Sequence, residues 1–343
     1  MSGKKIRNMD EFAAKSGLSR PTVSKYFNDP ESVRSSTRQK IEEALDRYDY
    51  RPNIFAINQN RSSTKNVGIV VPYLTDPFFA EIARKLEERC TSAGLRPTLF
   101  SPYGRPDLEI EILDSILSLK PAGVLFAPLG RVSDRDAIKE FCDKVPTVLF
   151  DSEIEDVGEA FVGSDNFSFV SETIEYLLRT GTPPCFFEMR HPANPNANKR
   201  RLAYLELMKR HGLEPQVVQV EGAGWSFEEI GREGALRVFE SGGFPSDTVL
   251  CSNDRLAIGL LAACYEKGLR VGHGRGCAMR IASHDGHPFS SFTCPSLTTA
   301  AHDYDSVSDR AVETLREVIE AGGKLADRKV TLYPAKLILR SSA

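Results

Sequence analysis

Residues 16–28 read SGLSRPTVSKYFN, and the order of small, basic and apolar side chains within them decides the reading of the N-terminal region. Gly17 lets the chain turn. Ser19 can cap a helix, and Pro21 falls in that helix's first turn, where its missing N–H costs little. Val23 and Phe27 lie four residues apart, share one face and turn inward. Arg20, Thr22, Ser24 and Lys25 are left largely free, and a helix that only packed in a core would not need them.

Working outward, Asn8 can cap a preceding helix, with Glu11 three residues later completing an Asn-x-x-Glu variant of the capping box and Phe12, Ala13 and Ala14 on its apolar side. After the loop NDPESVRSS a third helix, TRQKIEEALDRYDY, puts Ile41, Leu45 and Tyr48 on one stripe. It stops at Arg51-Pro52, as a helix usually must before proline. Charge follows the same division. Residues 1–65 carry 13 Lys and Arg against 8 Asp and Glu, whereas the remainder carries 31 against 39. A small basic head on an acidic body points to a polyanion partner for the head alone.

From Asn66 onward the texture changes. The runs NVGIVVP, PTLFSP, GVLFAP, PTVLFD, CFFEM, VVQV, TVLCSN and MRIASHD read as strands, and amphipathic stretches such as FFAEIARKLEERC, FVSETIEYLLR and RLAIGLLAACYEKG lie between most of them. Repeated strand and helix alternation predicts parallel sheets wound by right-handed crossovers, and its length predicts two similar lobes. The fold class expected is therefore an all-α helix-turn-helix head (1–52), a hinge or linker (53–65), and an α/β two-lobed body (66–343). Lobe one is expected at about 66–161 with a return segment at about 290–322, and lobe two at about 162–289 with the C-terminal segment.

Composition narrows the classes of function. A 343-residue chain with 41% hydrophobic and 27% charged residues has the balance of a soluble globular protein. No apolar run approaches a membrane span, and MSGKKIRNMDEF lacks the apolar core of a secretory signal, so a cytoplasmic protein without a membrane partner is expected. The seven cysteines are scattered and never form C-x-x-C, which favours buried, reduced thiols over a disulfide framework or zinc cluster.

Helix, glycine-containing turn and second helix form the helix-turn-helix pattern, whose second helix enters the major groove of double-stranded DNA. Arg20 and Lys25 could donate to guanine or phosphate there, and Pro21 could touch a base edge as well as start the helix. A three-helix bundle with solvated charges is the alternative.

Taken together, the stretches LSRPTVSKYFNDPESVRSSTRQKIEEALDRYDYRPN, NVGIVVPYLTDPFFAEIARKLEE, SNDRLAIGLLAACYEKGLRVG, PSLTT and LYPAKLILRSSA resemble, in order and spacing, the lactose-repressor (LacI/GalR) family of bacterial transcriptional regulators. The likeness covers nearly the whole chain. It implies a body like that of periplasmic sugar-binding proteins, a homodimer on a near-palindromic operator, and a hinge that enters the minor groove. Asn53, Ala56, Ile57, Gln59 and Asn60 would then face DNA, with Arg61 near a phosphate. Gln59 stands where the family has a wedging leucine, and Ile57 where it has arginine, so either a weaker kink or a wedge made by Ile57 instead is expected. The closing LILRSSA leaves no room for a C-terminal heptad tail, so tetramerisation by that route is not expected.

In parallel α/β sheets ligands sit beyond the carboxyl ends of the strands. Asp76, Asp151, Asn253 and Asp285 each follow a strand-like run, although each could equally be a helix cap. The resemblance implies sugar contacts for Asp151, Arg200, Trp225, Asn253-Asp254 and Asp285, with Trp225 stacking on the ring, and an aromatic mouth of Phe78 and Phe79. The chain departs from the family at Ser283-His284, where Gly-Tyr is usual, and at His302, where glutamine is. His284, Asp285 and His287 match no metal-binding spacing, GHGRG (272–276) does not spell a dinucleotide loop, and no catalytic set has motif support. No metal, cofactor or enzymatic activity is expected. A sugar-binding receptor without a DNA role would share the body, but the basic head argues against it.

Overall fold

The structure is a computed structural model and describes residues 6–28, 30–51 and 64–343. The chain forms two compact units, residues 1–65 and 66–343.

The first unit holds α1 (Met9–Ser16), α2 (Arg20–Asn28), a 3-10 turn (Pro30–Ser32) and α3 (Ser35–Tyr48). Asn8 caps α1 by accepting from the Glu11 N–H (2.9 Å). The Glu11 carboxylate accepts in turn from the N–H of Arg7, one residue further back than a capping box would have it. Gly17 ends α1 with φ 68°, and the Leu18 N–H reaches back to the Ala13 carbonyl. Phe12, Val23 and Ile41 are fully buried, and Tyr50 stacks on Phe12 at 4.7 Å. The inward Val23 and Ile41 stripes therefore pack as their periodicity requires.

The second unit has two six-stranded sheets. One contains β1 (Asn66–Val70), β2 (Arg96–Phe100), β3 (Gly123–Phe126), β4 (Thr147–Phe150), β5 (Ala160–Ser164) and β11 (Lys329–Tyr333), in the order β11-β5-β4-β3-β1-β2 and parallel throughout. The other contains β6 (Cys185–Met189), β7 (Val217–Val220), β8 (Thr248–Cys251), β9 (Arg280–Asp285), β10 (Thr298–Ala301) and β12 (Lys336–Ile338), in the order β12-β10-β9-β8-β6-β7. Only β12 is antiparallel to its neighbour. Strands β3, β4, β6 and β8 are buried along their whole length, because helices cover both faces of a parallel sheet.

Helices α4 (Pro77–Ser92), α5 (Pro106–Ser118), α6 (Arg135–Lys144) and α11 (Tyr304–Glu320) flank the first sheet; α7 (Asn166–Thr180), α8 (Ala197–Arg210), α9 (Phe227–Glu240) and α10 (Asp254–Glu266) flank the second. The chain crosses between lobes after β5, after β10 and between β11 and β12. These crossings correct three expected boundaries. Residues 162–164 complete β5 in lobe one, and residues 298–301 pair with β9 in lobe two, so the return to lobe one falls after Ala301 rather than near 290. In the C-terminal segment, β11 joins lobe one beside β5.

All seven cysteines are free, but Cys277 is half-buried and Cys294 exposed, so the expectation of buried thiols holds for five of them. Among the described residues no helix is long and apolar enough to cross a membrane.

Candidate functional site

On the head, Pro21 and Lys25 are exposed and Thr22 and Ser24 partly so. The Thr22 hydroxyl bonds the Ser19 hydroxyl (2.7 Å), and the Thr22 N–H reaches the same Ser19 oxygen (3.3 Å), so Ser19 caps α2 as its position predicts. Arg20 Nε lies 3.1 Å from Asp10 Oδ1, with both side chains mostly in water. Such a surface pair is weak and leaves the guanidinium available to another anion. The hinge positions Asn53, Ala56, Ile57, Gln59, Asn60 and Arg61 lie outside the described residues.

In the body, Asp76, Phe78, Phe79, Asp151, Arg200, Trp225, Asn253 and Asp285 line one cavity of about 30 Å³ at the carboxyl ends of both sheets. Sequence reasoning missed Asn194, Asn196, Phe227, Arg255 and His302, which line it too.

The four strand-end residues divide in two. Asp76 caps α4, accepting from the Phe78 N–H (3.0 Å), and Asn253 caps α10, accepting from the Leu256 N–H (2.8 Å). Asp151 and Asp285 cap no helix. They hold φ of 57° and 117°, unusual for residues with a Cβ and a form of strain that collects at binding sites. Asp254 departs from expectation: it is fully buried and accepts from the His287 N–H (2.7 Å), Ser290 Oγ (2.6 Å) and Thr299 Oγ1 (2.7 Å). It braces the loop after β9 instead of lining the cavity.

Arg200 anchors lobe two's side. Its side chain is 2% exposed and donates to Asn166 Oδ1 (3.1 Å), the Ser252 carbonyl (2.8 Å) and Asp285 Oδ1 (2.7 Å). Burial opposes ionisation of Asp285, but Arg200 and His302 outweigh it and hold the carboxyl at about 2. Asp151 has no such charged partner at contact distance among the described residues. Burial pushes it up to about 7, with Arg200 and Lys199 offsetting only part of the effect. His302 sits between lobes, its Nδ1 2.7 Å from Ser164 Oγ and its Nε2 3.4 Å from Asp285 Oδ1. Burial lowers its pKa and favours a neutral ring. His284 is buried within β9 and bonded to the Cys251 carbonyl, and burial depresses it to about 3.

Besides the Ser164–His302–Asp285 link, two direct polar side-chain contacts join the lobes across the cavity. Asn196 Nδ2 donates to Asp151 Oδ1 (2.9 Å), and Arg255 Nη1 donates to Asp76 Oδ2 (2.9 Å) while its other nitrogens hold Glu228 (2.7 Å each). Trp225 is not a bare platform. One face of its indole stacks on Tyr73 at 4.9 Å and 3°, and Phe79 and Phe227 meet it edge-on. Phe78 packs on His302 and Tyr304. The signal for Arg255 and Asn196 was visible only as polar neighbours of Asn253 and Arg200, since nothing local says that they reach the opposite lobe.

A helix-turn-helix unit followed by a two-lobed α/β body with a polar interlobe cavity defines a ligand-binding DNA-binding regulator. Residues 8–53 match the family of bacterial regulatory proteins, lacI family, and residues 174–343 match the periplasmic binding protein-like domain. The chain belongs to the lactose-repressor (LacI/GalR) family of bacterial transcriptional regulators. It is 28% identical over 343 residues to the HTH-type transcriptional regulator GntR of Escherichia coli (strain K12), covering 96% of this chain and 98% of that one. Its fold resembles the lac repressor dimer bound to operator and the anti-inducer ONPF (TM-score 0.83, 21% identity, 98% and 99% of the two chains). It also resembles a LacI family transcriptional regulator from Enterococcus faecium with bound ribose (TM-score 0.68, 19% identity, 81% and 98%).

Proposed function

We propose that this chain is a cytoplasmic homodimeric repressor of a near-palindromic operator, controlled allosterically by a sugar or sugar derivative bound between its lobes. The observation that carries the reading is the convergence of Asp76, Asp151, Arg200, Asn253 and Asp285 with aromatic residues on one interlobe cavity. Carboxylates, an amide and a guanidinium suit hydroxyl-rich ligands, and Trp225 and Phe79 offer apolar surface beside them. The cavity measures only about 30 Å³, so a ligand enters by displacing the bonds Asn196–Asp151 and Arg255–Asp76. Effector binding and lobe closure are thereby opposed or coupled through the same atoms. Coupling of this kind amounts to about 1 to 3 kcal/mol and is reciprocal between effector and operator.

The test has two arms. An operator is selected from random duplex DNA, and Arg20→Ala and Lys25→Ala are measured on it at about 150 mM salt; each should weaken binding by about 1 to 3 kcal/mol and relax one base position. The same complex is then titrated with a sugar and sugar-phosphate panel, following Trp225, the single tryptophan of the chain. Asp285→Ala should abolish the effector response and keep operator binding. Wild-type affinity in both head variants, or an effector response that survives Asp285→Ala, sinks the corresponding half of the reading.

A further inference from the structure

Outside the small cavity the cleft widens into a second chamber of about 520 Å³. Asn194, Pro195 and Trp225 line both spaces and form the partition between them. The volumes differ in kind. Drug-sized ligands occupy pockets of about 300 to 1,000 Å³, a range that includes the outer chamber and not the inner cavity.

The charge of the outer chamber is one-sided. Its lining includes Arg131, Arg190 and Arg201 against a single carboxylate, Glu188. Glu188 is buried, which raises its pKa, and it is already committed to Gln219 Nε2 (2.8 Å) and to Arg201 Nε (3.6 Å). Arg201 is further held by Asn198 Oδ1 (2.7 Å). Arg190 lies 2.9 Å from Glu221, in a pair where both side chains are more than half exposed and therefore easily exchanged for another anion. Arg131 is exposed and has no ion-pair partner among the described residues. Its loop is nonetheless tethered. The buried Glu109 of α5 accepts from the Leu129 N–H (2.9 Å), which fixes the backbone two residues before Arg131. On the partition, Asn194 Oδ1 is buried and makes no hydrogen bond, an acceptor directed at a donor the protein does not supply.

We propose that the outer chamber is an anion subsite, and that the effector is an elongated anionic sugar derivative. Its hydroxyl-bearing part approaches Asn194 and the inner cavity, while its carboxylate or phosphate lies against Arg131 and Arg190. A guanidinium pairs with either anion through two parallel hydrogen bonds, so arginine rather than lysine on both walls fits this role. Because Arg131 comes from lobe one and Arg190 from lobe two, such an anion would bridge the lobes. The proposal rests on the reading of the cleft as the effector site and adds the chemical class of the ligand.

The experiment uses the full chain. Melting temperature and Trp225 fluorescence are followed against inorganic phosphate and acetate at matched ionic strength, and against glucose 6-phosphate beside glucose. Phosphate or acetate should stabilise the wild type above a chloride control, and the stronger of the two identifies the anion. Arg131→Gln with Arg190→Gln should weaken that anion's apparent affinity at least tenfold. Both arginines are exposed, so the unliganded melting temperature should stay at the wild-type value and certify folding. Equal anion binding in the wild type and the double variant, or none in either, overturns the subsite. A neutral sugar that moves Trp225 equally in both would overturn the anionic class while leaving the interlobe effector site intact.

Discussion

Replacing Arg255 with glutamine tests whether the cleft is latched shut across its lobes. Arg255 stands in the first turn of α10 on lobe two, and its partner Asp76 caps α4 on lobe one. Their side chains are only 14% and 10% exposed and lie 2.9 Å apart. At that distance of 2.9 Å and an effective dielectric of about 20, the attraction is about 6 kcal/mol. Dehydration of the two buried ions offsets much or all of this attraction, so the pair adds little net stability, but the coupling between two contacting side chains is still expected at about 1 to 3 kcal/mol. A thermal double-mutant cycle of Arg255→Gln and Asp76→Asn should then show a coupling of about 2 to 6 °C, taking about 2 °C per kcal/mol for a large domain. Glu228 holds the same guanidinium but belongs to lobe two, so Glu228→Gln should leave the lobe separation seen by small-angle scattering unchanged, whereas Arg255→Gln should widen it. If an effector must break this pair to enter, its affinity should rise about 5- to 150-fold in Arg255→Gln. An additive cycle with unchanged scattering would refute the latch.

Three further outcomes follow from the same geometry. Asp151 is held up to about 7 by burial, so its contribution to stability is full below about pH 4, where the unfolded carboxyl also holds its proton, and is lost as the pH rises through 7; Asp151→Asn should gain melting temperature relative to wild type between pH 5.5 and 8.0, and a constant difference across that range would contradict this. Gly104 has φ 75°, and a Cβ there would stand 2.7 Å from Trp225 Nε1, so Gly104→Ala should cost about 1 to 2 kcal/mol and shift the tryptophan emission maximum. In the hinge, Gln59→Leu should increase operator bending in circular permutation gels and tighten binding, because leucine restores an apolar wedge; no change in either would mean that the hinge does not enter the groove.

Sequence alone determined what depends on local chemistry. The helix-turn-helix head follows from Asn8, Gly17, Ser19 and Pro21 at element ends and from Phe12, Val23 and Ile41 at helical spacing, features a chain carries within a few residues. The eight strand-like runs all became strands, because a sheet covered on both faces needs uninterrupted apolar segments. Strands β5, β10, β11 and β12 were not legible: AFVGS, TTAA, KVTLY and KLI are short or mixed, and neighbours far along the chain hold them in place. The eight cleft residues were nameable because strand ends and family spacing mark them. Which of them cap helices and which bear strained backbone was not, since an Asp after a strand can do either until its φ and its partners are known. Only the tertiary structure decided that Asp254 turns away into three internal hydrogen bonds, that Tyr73 covers one face of Trp225, and that Arg255 meets Asp76 across 179 positions of sequence. Those pairings arise where two separately wound sheets bring their carboxyl ends together, and no periodicity within a single segment encodes a contact between lobes.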